Sequence, residues 1–165
     1  MPQYLLDTNF FIEAYRKSYP MDVFPSFWEK VKELAVSGKI LSLDKVKDEL
    51  FKHDDELKTW CEANLPESFF QEAAGAIDEY SKVVRWAYSK LDKPYSQSAL
   101  DVFLDADEAD AWLVAYASKH NLPLVTNEVS APDSKKSIKI PDACAPFGVR
   151  AIQPMDLFRG LGEKM

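Results

Sequence analysis

The 165-residue chain has few of the residues that staple or punctuate small folds: two cysteines, two histidines and five glycines. Cys61 and Cys144 lie far apart, with no CxxC spacing and no paired Cys and His beside either. That argues against a disulfide framework and a zinc ribbon, and makes a reducing, cytoplasmic location the expectation. His53 and His120 each stand next to a helix end in polar surroundings and read as surface residues. With ten prolines against five glycines, no low-complexity tract is present. No apolar run approaches the roughly 18 residues of a membrane span. The opening MPQYLLDTNFFIEAYRK is interrupted by Asp7 and has neither a basic leader nor a small-residue cleavage site, so neither a signal peptide nor a membrane role is expected. Positive charge is also short, with 20 Lys and Arg against 27 Asp and Glu, a net −7. Such a balance disfavours nonspecific binding of polyanions, unless carboxylates gather around cations that invert the local field.

What is present is an ordinary folding composition, 47% hydrophobic and 28% charged, enough for one domain over residues 1–165. Tyr4-Leu5-Leu6 is a short apolar strand ending at the polar turn Asp7-Thr8-Asn9. Residues 22–36 carry apolar side chains at helical spacing and end at Gly38, a natural C-terminal cap. Ile40 to Leu43 form a second strand, and Asp44 caps a helix carrying Val46, Glu49 and Leu50. Residues 54–63 form another helix, and Ser68 with Gln71 has capping-box spacing for a helix running to Leu91, with Phe70, Ala74, Ile77, Val84 and Ala87 on its buried face. A segment at 98–104 leads to a helix over 107–120, which turns inward Trp112, Leu113, Tyr116 and Ala117 and is capped by Asn121. Strands follow at 122–126 and 149–152, and Pro154 opens a final helix. The stretch 129–148 reads as one long irregular loop. Alternating strands and short-looped helices predict a three-layer α/β/α sandwich around a mostly parallel sheet. Ligands bind such sheets at the carboxyl ends of their strands.

Four acids stand where that edge should be. Asp7 ends the first strand, Glu128 follows Leu124-Val125-Thr126, and Glu49 and Asp110 lie on the helices next in the chain, with Asp107 a rival to Asp110 one helical turn earlier. Taken singly, each has a bland alternative: Asp7 and Asp107 as helix caps, Glu49 as solvated surface. Taken together, converging carboxylates repel unless a hard cation holds them, and Mg²⁺ or Mn²⁺ prefers such oxygen ligands.

Three passages carry a family resemblance. YLLDTNFFIEAY, DADEADAWLVAYASKHNLPLVTNE and IPDACAPFGVRAIQPMDLF resemble, respectively, the opening strand and first acid, the third-acid helix with its Thr-x-acid ending, and the closing segment of PIN-domain nucleases, a family that includes VapBC-type toxins. The narrower similarity is to the branch called DUF4411. The second passage is the most specific, with Thr126 sixteen residues after Asp110 and Glu128 two further on. The resemblance implies a PIN-like fold with Asp7, Glu49, Asp110 and Glu128 as the four acids of a Mg²⁺- or Mn²⁺-dependent endoribonuclease. Glu128 stands where the family more often has Asp, and Asp48 is the fallback for Glu49. Asn9 would be the polar residue near the metal. Thr8 or Thr126 would contact a scissile phosphate or orient a ligating carboxylate. Lys135, Lys136 and Lys139, or Arg16 and Lys17, would hold the RNA backbone.

The resemblance also implies a toxin of a type II pair, with an antitoxin as its protein partner. Phe69 and Trp86, if outward, would serve that contact or a homodimer. The alternative is a catalytically silent PIN-like module that binds RNA or protein. A haloacid-dehalogenase-type phosphatase would need an acid where Asn9 stands, and a receiver domain would need Asp44 as a free phosphoacceptor.

Overall fold

A computed structural model describes residues 3–165. Five strands form one parallel sheet: β1 (Tyr4–Leu6), β2 (Ile40–Leu43), β3 (Phe70–Gln71), β4 (Leu124–Val125) and β5 (Ala151–Ile152), in the order β3-β2-β1-β4-β5. Nine α-helices are present among the described residues: α1 (Thr8–Glu13), α2 (Pro25–Val36), α3 (Asp44–Leu50), α4 (Glu56–Asn64), α5 (Ile77–Ser89), α6 (Gln97–Phe103), α7 (Asp110–His120), α8 (Ile140–Cys144) and α9 (Pro154–Leu161). The result is the expected three-layer α/β arrangement, with every strand pair parallel. β1 is central because all three of its residues are buried, which suits a strand covered on both faces. Leu5 pairs with Leu41 on one side and Leu124 on the other.

This order sets the position of the site. From β1 the chain builds outward through β2 and β3, then returns to add β4 and β5 on the other side. The reversal leaves a crevice at the carboxyl ends of β1 and β4, the usual ligand position in doubly wound sheets. Asp7 follows β1 directly, and Glu128 lies three residues past the end of β4. α7 is buried from Ala111 through Ala117 without a break, a helix enclosed on all sides. Its last turn ends at Asn121 in the left-handed region (φ 54°).

The middle of the chain differs from its reading as one long helix. Phe70 and Gln71 pair with Ser42 and Leu43 as the edge strand β3. Short 3₁₀ turns flank it at Glu67–Phe69 and Ala73–Ala76, and α5 starts only at Ile77. Gln71 donates its Nε2 to the Ser68 carbonyl, so the Ser68/Gln71 spacing marks a turn and not a capping box. The buried face of α5 is Val83 and Ala87, whereas Ile77 and Tyr88 are exposed. Phe69 is buried against Phe11 and Phe70, which removes it as a docking residue, and Trp86 is half-buried against Tyr95 and Phe147. The stretch 129–148 contains α8, with Pro141 in its first turn. α7 begins at Asp110 and not at Asp107, so Asp107 lies in the preceding turn, its amide held by Asp105 Oδ1.

Candidate functional site

Four polar residues are buried among those described: Asp7, Thr8, Ser42 and Thr126. Ser42 has a structural task, its hydroxyl donating to the Leu6 carbonyl at 2.6 Å across β1 and β2. The other three sit together at the carboxyl ends of β1 and β4. Burying polar groups costs free energy unless each finds a partner, and here the satisfaction is incomplete. Asp7 Oδ1 accepts the Phe10 amide at 2.8 Å and so caps α1, the bland role open to it. Asp7 Oδ2 is buried without a hydrogen bond, and Thr126 alongside gives only partial relief. The Thr8 hydroxyl likewise has no well-aligned partner and faces the Glu49 carboxylate.

The acids gather from four elements. Glu49, near the end of α3, accepts the Ala109 amide at 2.6 Å and thereby ties α3 to the entry of α7. Asp110 is the first residue of α7. Glu128 accepts the Ile140 amide at 2.9 Å, and its own amide donates to Thr126 Oγ1. Burial, with repulsion from Glu128 and Glu49, raises the Asp7 carboxyl from 3.8 to about 7 despite hydrogen bonds that oppose the shift. Asp110 keeps some residue surface, yet its carboxyl group is withdrawn from water. That desolvation, with the charges of Glu128, Asp7, Glu49 and Glu108, raises it to about 8. Glu49 is raised chiefly by burial, and Glu108 adds to the shift.

Glu108 stands near the acids although no sequence pattern marks it, and Asp107 stands apart from them. Glu108 lies beside Glu49 and bridges to Lys52 at 3.9 Å, whereas Asp107 is exposed and outside the group. The Ala109 amide on Glu49 brings Glu108 alongside, with 40% of its side chain still exposed, and no local pattern in the sequence marks that contact. Thr8 and Thr126 are 6% and 1% exposed, too buried to touch a substrate phosphate, so their part is to face carboxylates. Asn9 is exposed, its carbonyl reached by Asn127 Nδ2 at 3.4 Å. Asp48 is exposed, leaving Glu49 the inward acid of α3. Asp44 Oδ1 holds the Lys45 and Ala73 amides, a structural duty.

Asp110, Glu128, Lys136 and Lys139 line one cleft of about 150 Å³, together with Phe103 and Ile138. Lys135 is exposed and not part of this lining, and its carbonyl accepts the Ser96 amide. Arg16 and Lys17 are exposed beyond α1. Among the described residues no three carboxylate, imidazole or thiolate groups stand as a ready-made metal cage. The donor chemistry nonetheless suits a hard cation, since the acids are all-oxygen ligands and a buried Asp7 oxygen is unpartnered.

A doubly wound parallel sheet with buried acids at its switch point is the class that fold and site define. Within it, the chain matches the family described as Domain of unknown function (DUF4411) over residues 4–165 and belongs to that family. No curated protein and no solved structure matches the chain.

Proposed function

We propose that the chain is a metal-dependent ribonuclease of PIN type. The observation that carries the reading is the juxtaposition of Asp7 and Asp110: two withdrawn carboxyl groups, both raised to near neutrality, with Asp7 Oδ2 unpartnered. Such an arrangement costs the fold stability unless a proton or a cation offsets the charge, and perturbed acids in a cleft are a recurrent mark of function.

On this reading Asp7 and Asp110 hold Mg²⁺ or Mn²⁺, with the free oxygens of Glu49 and Glu128 completing the set directly or through water. The bound ion would lower the pKa of a water and neutralise charge on the leaving oxygen. The chain's own groups do the remaining work. The Ala109 and Ile140 amides fix the rotamers of Glu49 and Glu128. Thr126 and Thr8 brace Asp7 and Glu49. Lys136 and Lys139 bring positive charge into the cleft that Asp110 and Glu128 also line, where it would offset their charge toward a phosphodiester. The same reading makes the chain the toxin of a type II pair, restrained by an antitoxin.

The test is cleavage of a panel of single-stranded RNAs in Mg²⁺, Mn²⁺ or EDTA by wild type, Asp7→Asn and Asp110→Asn. The expected outcome is metal-dependent cleavage by wild type and a loss of about 10²-fold or more in each variant. Equal inertness of all three folded proteins would leave the silent RNA- or protein-binding module in its place.

A further inference from the structure

A smaller cavity of about 120 Å³ lies beside α1, whose Phe10 and Glu13 line it. It is built differently from the lysine-walled cleft. Its apolar wall is the parallel stack of Tyr19 on Phe27, with ring centroids 4.1 Å apart and planes 2° from parallel. Trp28 Nε1 donates to the Tyr19 carbonyl at 2.7 Å and fixes that end of the wall. Its polar lining residues are Glu13, Ser18, Asn127 and Gln153; Asn127 Nδ2 donates to the Asn9 carbonyl and the Gln153 side chain accepts from the first turn of α9, which leaves the Gln153 Nε2 group as the amide donor. The cavity exists because α1 does not continue as an α-helix. It widens at Ala14–Ser18 into a π turn, closed by the Tyr19 amide on the Ala14 carbonyl at 2.7 Å, and both ends of that turn line the space. Such widened turns cost hydrogen-bond geometry and concentrate at functional sites.

The cavity is joined to the acid site at two points. Phe10, in its lining, donates its amide to Asp7 Oδ1. Asn127, also in its lining, immediately precedes Glu128. Resting on the ribonuclease reading above, we propose that this cavity receives one unstacked guanine base of the RNA strand and sets where the chain cuts. A single-stranded base enters such a pocket edge first, against an aromatic wall, and is read on its exposed edges. The carboxylate selects the base. Guanine presents adjacent N1–H and N2–H donors that a carboxylate accepts as a pair, and its O6 accepts from an amide. Uracil offers one donor, and adenine and cytosine offer one amino donor beside an unprotonated ring nitrogen whose lone pair repels the second carboxylate oxygen. Among the described residues Glu13 has one ionic partner, Lys17, whose Nζ stands 3.6 Å from Oε1 on a largely exposed side chain, so Oε2 is free and Oε1 keeps a lone pair for the second donor.

The test is fluorescence anisotropy of labelled tetraribonucleotides UUNU, with N varied over the four bases, bound to the full chain in EDTA so that nothing is cut. The proteins are wild type, Glu13→Gln, and Ser18→Phe, which fills the cavity from its rim. The expected result is binding of the guanine oligonucleotide about tenfold tighter than the other three. Both variants should lose that preference while still binding the other oligonucleotides as wild type does. Equal affinities, a different preferred base, no binding, or a guanine preference surviving in both variants would each overturn the proposal. The ribonuclease reading is judged separately in Mn²⁺. Cleavage without base preference removes the guanine pocket alone, and guanine preference without cleavage removes the nuclease alone.

Discussion

Asp7 carries two roles on two oxygens, and the difference between them is measurable. Oδ1 caps α1, a task an asparagine oxygen performs equally well. The negative charge is a cost that folding imposes. Because folding raises the Asp7 and Asp110 carboxyls from 3.8 to about 7 and about 8, the folded state retains protons that the unfolded chain releases. Their contribution is therefore most favourable below about pH 4 and is lost as pH rises through 7 and 8. Asp7→Asn should stabilise the metal-free protein at pH 7.5 by about 1–3 kcal/mol in urea unfolding, with little gain at pH 4. The two thiols provide a second check at this scale. Burial pushes Cys61 and Cys144 up to about 12, so neither is a thiolate nucleophile. Iodoacetamide at pH 8, followed by mass spectrometry, should label neither in the native protein and both once it is unfolded.

At the scale of elements, α7 is the structural centre of the site, presenting Asp110 at its first turn and stacking Trp112 on Tyr80 of α5. Its far end depends on Asn121 at positive φ, a conformation that only Asn and Gly adopt at little cost. Asn121→Ala should lower the unfolding free energy by about 1 kcal/mol, and Asn121→Gly should not. The elements legible in the sequence were those with strong local signals. β1 and β2 have the boundaries their apolar runs indicated, and α9 starts at Pro154. β3 was not legible because a two-residue edge strand has no period of its own and exists only by pairing with Ser42 and Leu43. α8 was hidden by Pro141, which reads as a breaker but stands in a first turn where its missing N–H is harmless. The acids of the site were legible as a pattern because Asp7 and Asp110 sit inside apolar sequence. Glu108 was not, since it comes beside Glu49 only through the hydrogen bond that its neighbour Ala109 donates to Glu49 across 60 residues of chain.

Over the whole molecule, a net charge of −7 must be reconciled with a polyanionic substrate. Lys136 and Lys139 offset it locally, in the cleft they line with Asp110 and Glu128. Replacing both lysines by alanine should raise KM for RNA about tenfold with a smaller change in kcat, and should flatten the salt dependence of binding. The central claim is that the repelling acids at the switch point are a cation site. It is tested most directly by following the melting temperature at pH 7.5 during a Mn²⁺ titration of wild type, Asp7→Asn and Asp110→Asn. The account predicts that both variants start above wild type and do not respond, while wild type climbs saturably by about 5 °C or more. Wild type and variants climbing together, or a wild type that neither climbs nor starts lowest, would contradict it.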